Sequence, residues 1–254
     1  MDIRAYNRDA WNRYVDGGKS EWTQPVSADV IARAREGDFS ILLTETKPVP
    51  REWFPPLGGL DTLCLASGGG QQGPVLAAAG ANVTVFDNSP RQLDQDRFVA
   101  EREGLTMRLV EGDMRDLSGF EDETFDFIFH PVSNLFIHEI RPVWHEAYRV
   151  LRKGGVLLAG FMNPVFYLFD YEKAEKGELD ARYKLPYSDS DYPDIAKKMI
   201  AAGDALEHGH SLGDQLGGQV DAGFAIVGFY EDKMRNTIIS EYTPTYIATR
   251  AIKF

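Results

Sequence analysis

Between residues 60 and 161 the chain alternates short apolar runs with longer amphipathic ones. Residues 60–66 (LDTLCLA), 82–86 (NVTVF), 106–110, 125–129 (FDFIF) and 155–161 (GVLLAGF) read as strands. Residues 74–79, closed by Gly80, residues 91–103, closed by Gly104, and residues 143–151 read as helices. Such alternation predicts a parallel sheet covered by helices on both faces. Residues 1–57 read as helical: Trp11, Tyr14 and Val15 fall at roughly helical spacing, and Ser27 can cap a second helix carrying Val30, Ile31 and Ala34. A stretch rich in proline and glycine, residues 47–59 (KPVPREWFPPLGG), links this part to the rest. After residue 161 the pattern changes. Residues 163–205 are aromatic and acidic, with prolines at 164, 186 and 193, and read as an insertion. A helix is expected over 211–221, then strands over 224–230 and 242–252, with no convincing helix between them. A closing antiparallel pair is the simplest arrangement of those two. The expected architecture is therefore α/β, with a mostly parallel seven-stranded sheet. Residues 1–57 form an N-terminal helical cap, and residues 58–254 form the main domain, with a second cap inserted at about 163–205.

Composition narrows the function. The 254 residues carry 27 Lys and Arg against 39 Asp and Glu, a net charge of -12, which argues against a nucleic-acid partner. The single cysteine, Cys64, permits no intrachain disulfide and no cysteine-rich metal centre, so no metal is expected. The first residues (MDIRAYNRDAW) are too polar for a secretory signal, and no apolar run approaches the ~20 residues that span a membrane. A cytoplasmic protein without a membrane partner is expected. No feature sets an oligomeric state.

In an open parallel sheet, ligands bind beyond the carboxyl ends of the strands. The first strand runs into Ala66-Ser67-Gly68-Gly69-Gly70-Gln71-Gln72-Gly73, where glycines let backbone approach a ligand and the next helix offers free N–H groups. The second strand ends at Asp87, followed by Asn88 and Ser89. An acid about 20 residues beyond a glycine loop suits ribose hydroxyls, although Asp87 or Ser89 before Pro90 also suits a helix start. The third strand runs into Glu111-Gly112-Asp113-Met114, where a carboxylate can accept from an adenine amine and a methionine can pack on its ring.

Taken together, LCLASGGG, VFDNS and EGDM, with FDFIFHPVSNLF and RVLRKGGVLLAGF, resemble the motifs of the class I S-adenosylmethionine-dependent methyltransferases. The likeness covers about residues 55–161 closely and the last strand pair loosely. It implies a Rossmann-like sheet, S-adenosylmethionine as cofactor and S-adenosylhomocysteine as product. It also implies that Ala66, Ser67, Gly68, Gly69 and Gly70 hold the cofactor's amino-acid end. Asp87 and Asn88 would then meet the ribose, and Gly112, Asp113 and Met114 the adenine. Cys64 stands where the family often has an acid, and Ala66 replaces the first glycine of the loop. Alanine is tolerated there if its φ is negative.

The acceptor is expected to be a small molecule, because no recognition module or basic tract appears. His130, at the end of the fourth strand, can be a general base or a structural histidine beside the cofactor. Asn134 can orient an acceptor or cap a helix. His138 and His145 lie seven residues apart and read as surface or packing residues, Asn163-Pro164 as a turn, and His210 as capping or exposed. Tyr6, Trp11, Tyr14 and Trp22 before the sheet, and Phe166, Tyr167, Phe169 and Tyr171 after the fifth strand, can fold over the pocket and exclude water. Of these, Tyr6, Trp11, Trp22 and Tyr167 are the lid or substrate candidates, with Asn134. Two other functions share part of this pattern. A nicotinamide-dependent oxidoreductase has the same glycine loop and acid but explains the third motif poorly. A non-catalytic protein that binds S-adenosylmethionine fits the departures at Cys64 and Ala66.

Overall fold

The computed structural model describes residues 1–18 and 20–254. In chain order the elements are α1 (Ile3–Gly17), α2 (Ala28–Arg35), β1 (Asp61–Leu65), α3 (Gln72–Ala78), β2 (Asn82–Asp87), α4 (Pro90–Glu103), β3 (Met107–Glu111), β4 (Phe125–His130), α5 (Arg141–Val150) and β5 (Leu151–Met162). The insertion adds α6 (Tyr171–Glu175), β6 (Tyr187–Ser188), α7 (Pro193–Ala202) and β7 (His208–Gly209). The chain closes with α8 (Gly218–Ala222), β8 (Phe224–Asp232), α9 (Ile239–Tyr242) and β9 (Tyr246–Lys253).

Local chemistry sets many of these boundaries. Asp2 caps α1 and Ser27 caps α2, each accepting a backbone N–H of the first turn. Gly104 ends α4 in the left-handed conformation, and Pro90 starts it behind the Ser89 cap. The seven-stranded sheet has the order β3-β2-β1-β4-β5-β9-β8. β1 to β5 run parallel, and β9 lies antiparallel to both β5 and β8. The mostly parallel sheet with a closing antiparallel pair is as the sequence predicts.

Two strand starts differ: β5 begins at Leu151 rather than at residue 155, and the last strand begins late. Strand pairing begins at Tyr246 rather than at residue 242, and residues 239–242 make a helical turn. Pro244 lacks the N–H that a ladder needs, so strand pairing begins only beyond it. The helix expected over 211–221 forms as a wide turn, Gly213–Gly217, that runs into α8.

Both faces of the sheet are buried. One core unites Cys64, Val85, Phe127, Phe129 and Leu158 with Ile31 and Ala34 of α2, and with Leu43, Val49 and Trp53. The other packs Leu63, Leu65, Ile128 and Leu157 against Val143, Trp144, Ala147 and Val150 of α5. The N-terminal part thus divides. Ile31, Ala34, Ile41, Leu43, Val49, Trp53 and Leu57 belong to the core, while α1 adds no residue to it. The insertion builds a third, aromatic cluster around Phe166, Tyr167, Tyr187, Ile239 and Tyr246. Among the described residues no helix is long and apolar enough to cross a membrane.

A strap around residues 41–49 crosses the end of β5 closely. A Cβ at Gly160 would sit 2.2 Å from the Leu43 carbonyl oxygen, which already accepts the Val132 N–H at 3.0 Å. Asp232 ties this strap to β8. Its carboxylate accepts from the Thr44 hydroxyl at 2.7 Å and from the backbone N–H groups of Thr46 at 2.8 Å and Lys47 at 2.9 Å. Burial would raise its pKa, but the donors, led by Thr46, outweigh it and hold the pKa down at about 2. Asp232→Asn is expected to lose about 1–3 kcal/mol of unfolding free energy at pH 7, measured by chemical denaturation. The native pKa lies below the unfolded value of ~3.9. The contribution is therefore present above pH ~4 and is lost as pH falls through about 2. The variant should lack that loss.

Candidate active site

The loops leaving the carboxyl ends of β1 to β5 border one cavity of about 880 Å³, which continues under α1 and the insertion. Of the residues singled out in the sequence, Ala66, Ser67, Gly68, Asp87, Asn88, Asp113, Met114, Trp11, Trp22 and Tyr167 line it. Gly69, Gly70, Gly112, His130, Asn134 and Tyr6 are not on its wall.

The glycine loop is braced from α4. Asp87 accepts the Gly68 N–H at 2.9 Å and the Ser89 N–H at 2.8 Å, one on each oxygen. Asp96 accepts the Gly69 N–H at 3.0 Å. Protein atoms crowd the glycines. A Cβ at Gly68 would lie 2.7 Å from Cβ of Gln92, and one at Gly69, whose φ is 119°, would lie 2.7 Å from the Trp22 carbonyl oxygen. Gly112 is small for a similar reason, since a Cβ there would enter the Phe86 ring at 2.1 Å.

Ala66 does not meet the condition under which alanine is easily tolerated: its φ is +48°, in the left-handed region. Its N–H donates to the Phe86 carbonyl at 2.7 Å, which holds the turn despite the Cβ. A left-handed non-glycine residue costs roughly 1–2 kcal/mol.

Asp87 is not the helix cap; Ser89 is, accepting the Gln92 N–H at 3.1 Å. Burial raises the Asp87 pKa, against the opposing pull of the backbone N–H groups of Ser89, Gly68 and Asn88. Asn88 and Arg4 exchange two hydrogen bonds, at 2.9 and 3.1 Å, which ties α1 to the end of β2. Asp113 is gripped by the Arg115 guanidinium at 2.6 and 3.1 Å, with Arg4 at 3.7 Å. Burial works against the charge on Asp113, but the Arg115 bonds and the nearby Arg4 charge outweigh it and hold its pKa below the ordinary value. Met114 is buried beside it.

His130 is fully buried. Its Nδ1 lies 2.8 Å from the Leu65 carbonyl oxygen and its Nε2 lies 2.6 Å from Oδ1 of Asn134. Burial keeps its pKa below the usual value, so the ring is neutral near pH 7 and has one N–H to give. Turning the Asn134 and Gln215 amides together satisfies both nitrogens and keeps the bond between the two amides. Asn134 also bonds Gln215 at 3.0 Å. This is a structural chain that pins the end of β4, and it leaves His130 no access to the cavity.

The remaining histidines differ partly from expectation. His138 and His145 are exposed, as the surface reading expects, and only His145 lies on α5. His210 is buried, not exposed, because its Nε2 bonds the Asn134 carbonyl oxygen at 2.9 Å. Asn163 caps a turn, accepting the Val165 N–H at 3.2 Å. Tyr6 is not on the cavity wall but donates to the carbonyl of Asp204, which is, at 2.8 Å. Trp11 packs edge-on against Tyr14 and Phe136.

Several wall residues carry no local signal in the sequence. Gln92 lines the cavity, and its Oε1 is buried without a partner. Glu207 accepts from the Tyr167 hydroxyl at 2.9 Å, Asp189 from the Tyr187 hydroxyl at 2.7 Å, and Glu45 from the Tyr246 hydroxyl at 3.0 Å. Ten carboxylates and four cationic side chains line the wall, an excess that suits a positively charged ligand.

S-adenosylmethionine fits this wall. Its sulfonium suits the acidic, aromatic lining, and its donor groups suit the orphaned Gln92 oxygen and the free lone pairs of Asp87. Among the described residues no cluster of three or more metal-ligating side chains occurs.

Two substitutions test the loop. Burial lifts the Asp96 pKa to about 8, against the pull of the Gly69 N–H. Unfolding frees this acid to its ordinary value of ~3.9, so Asp96 lowers stability progressively from pH ~4 to about 8. Asp96→Asn should remove that slope, with a gain over wild type that grows from pH 5 to pH 8 in denaturant titrations. Ala66→Gly should stabilise by up to about 1 kcal/mol, because relief of the left-handed strain outweighs the added chain entropy. Thermal unfolding at fixed pH checks it.

Comparison with known proteins agrees with the geometry. Residues 63–159 match the family model described as a methyltransferase domain. The chain is 54% identical over 251 residues to the uncharacterized methyltransferase YbaJ of Bacillus subtilis (strain 168), covering 98% of each protein. It is 40% identical over 88 residues to a chloroplastic 2-methyl-6-phytyl-1,4-hydroquinone methyltransferase of Oryza sativa, covering 34% of this chain and 24% of that one. A solved S-adenosylmethionine-dependent methyltransferase from Mesorhizobium loti superposes with a TM-score of 0.62 at 18% identity, covering 80% of this chain and 95% of that one, and shares the fold.

Proposed function

The chain belongs to the methyltransferases, and we propose that it uses S-adenosylmethionine and that its acceptor is a small organic molecule bound in the cavity that also takes the cofactor. One observation carries this reading. A single cavity runs from the strand-end loops to the aromatic wall of the insertion, and α1 crosses it. A cavity of this volume, lined by α1 and the insertion, suits a compact acceptor better than a folded protein or a duplex. The alternative of a nicotinamide-dependent oxidoreductase has no support from the family.

When bound, the cofactor supplies a methyl group made electrophilic by a positively charged sulfur. The protein's own residues bind, orient and exclude water. Asp87 and Asn88 are proposed to hold the ribose, and Asp113 and Met114, on the turn that Gly112 permits, the adenine. The loop from Ala66 to Gly70 is proposed to hold the amino-acid end, with Ser67 and Gly68 at the wall and Gly69 and Gly70 shaping the turn behind them. α1 and the insertion are proposed to close the cavity, with Trp11, Trp22 and Tyr167 on its wall. A base role for His130 is not supported, since both ring nitrogens are engaged away from the cavity. Holding two reactants in line can supply up to ~7–11 kcal/mol of the barrier without any base.

Asp87→Ala is expected to weaken binding of S-adenosylmethionine and S-adenosylhomocysteine by tenfold or more in calorimetric titration. It removes both a ligand acceptor and a brace of the glycine loop. With methyl-labelled cofactor and a cell extract, the label should appear in the low-molecular-weight fraction. Label confined to protein or nucleic acid would refute a small acceptor.

A further inference from the structure

The acceptor end of the cavity offers hydrogen-bond acceptors and almost no donors. Tyr167, Tyr187 and Tyr246 each spend their hydroxyl proton on a carboxylate, those of Glu207, Asp189 and Glu45. Their oxygens keep only lone pairs for a ligand. The cations on the wall are also committed. Arg4 pairs with Asp113, Arg8 with Asp9, Arg182 with Asp170, and Lys198 with Glu172. Glu45 is neutralised by Arg235 at 2.7 Å. Among the described residues Glu207 and Asp189, like Asp87, Glu175, Asp194 and Asp204 on the same wall, have no cationic partner within 4.0 Å; Glu207 and Asp189 are the two that stand together beside the stacked tyrosines.

These two carboxylates are coupled. Asp189 accepts the Glu207 N–H at 2.7 Å. Beside them, Tyr167 stacks on Tyr187 at 5.1 Å, and Tyr187 on Tyr192 at 5.4 Å. Unpaired carboxylates beside aromatic faces suit an organic cation, which gains charge pairing, N–H donation and attraction to the rings together. A neutral apolar acceptor would leave the remaining lone pairs of both acids without a partner. An anionic one would be repelled.

On the reading that the cavity takes a small acceptor, we infer that this acceptor is a primary or secondary amine, admitted as its ammonium ion and held by Glu207 and Asp189 against the tyrosine wall. Burial, reinforced by the Asp189 charge, lifts the Glu207 pKa to about 7, against the opposing Tyr167 hydrogen bond, so it can take a proton near neutrality. The ammonium gives one proton to the Glu207 carboxylate and becomes a neutral amine. Its nitrogen lone pair forms the bond to the methyl carbon as the carbon–sulfur bond breaks, and that bond's electron pair stays on sulfur. The product nitrogen carries the positive charge that sulfur held, and the proton on Glu207 passes to water.

Calorimetry on the full chain saturated with S-adenosylhomocysteine tests this. The probes are a panel of alkyl and aryl amines, such as 2-phenylethylamine, each paired with its matching alcohol and carboxylate, 2-phenylethanol and phenylacetate in that case. At least one amine should bind tenfold or more tightly than its alcohol, and its carboxylate more weakly still. Glu207→Gln should lose at least tenfold for that amine while leaving the alcohol unchanged. Asp189→Asn should act in the same direction. Unaltered affinity of both variants for S-adenosylhomocysteine verifies that they are folded. The inference falls if every amine fails to bind or binds no better than its alcohol, or if Glu207→Gln leaves amine affinity unchanged. Failure of the wild type to bind S-adenosylhomocysteine would instead count against the reading on which it rests.

Discussion

Backbone amides leaving β1 run into the interior, where an unpaired N–H costs about 1–3 kcal/mol. Two carboxylates from different elements meet that demand. Asp87 takes the Gly68 N–H from the end of β2, and Asp96 takes the Gly69 N–H from the second turn of α4. This pairing fixes how closely α4 lies on the glycine loop, close enough that a Cβ at Gly68 would meet Gln92. The cofactor end of the cavity is therefore shaped by the protein's own hydrogen bonding before any ligand arrives. Asp87 can serve both purposes, because each carboxylate oxygen has a second lone pair after accepting one amide.

The same economy governs α1. Asn7 bonds the carbonyl oxygens of Phe136 and Leu206, each at 2.9 Å, and accepts the Leu206 N–H at 2.8 Å. Asn12 accepts the Ser89 hydroxyl at 2.8 Å, and Arg4 bonds Asn88. One helix is thus fastened to the cofactor end on one side and to the close of the insertion on the other. Its sequence shows an amphipathic helix. It does not show that the polar positions are fasteners, since every partner lies more than 75 residues away.

What the sequence made legible follows the range of the interaction. Strand ends, the Ser27 cap, the Gly104 stop and the acids at 87 and 113 obey local rules of period and spacing, and all of them appear in the fold. The left-handed Ala66 was not legible, because its φ is imposed by the bond to Phe86 in a neighbouring strand. His210 looked like a surface residue, yet the Asn134 carbonyl draws it inside. The reasons for Gly68 and Gly112 were also hidden. Their neighbours Gln92 and Phe86 come from other segments, and crowding by protein atoms rather than a ligand demands the missing Cβ. Glu207 and Asp189 stand at no strand end of the parallel sheet and in no motif. They matter only because the insertion folds them against Tyr167 and Tyr187.

Net charge illustrates the same lesson in another quantity. A total of -12 argues only about solubility and against phosphate partners. The local balance says more. Along the cofactor end, Asp113 is matched by Arg115 and Arg4. Deeper in the insertion, Glu207 and Asp189 meet tyrosine hydroxyls, which stabilise a carboxylate without cancelling its charge. A hydroxyl donor keeps the field negative where an arginine would extinguish it. The chain therefore keeps negative potential where Glu207 and Asp189 meet the tyrosines, and at the strand ends it cancels the charge of Asp113 while leaving Asp87 without a cation. A cation is attracted along the whole cavity between the tyrosine wall and the strand ends.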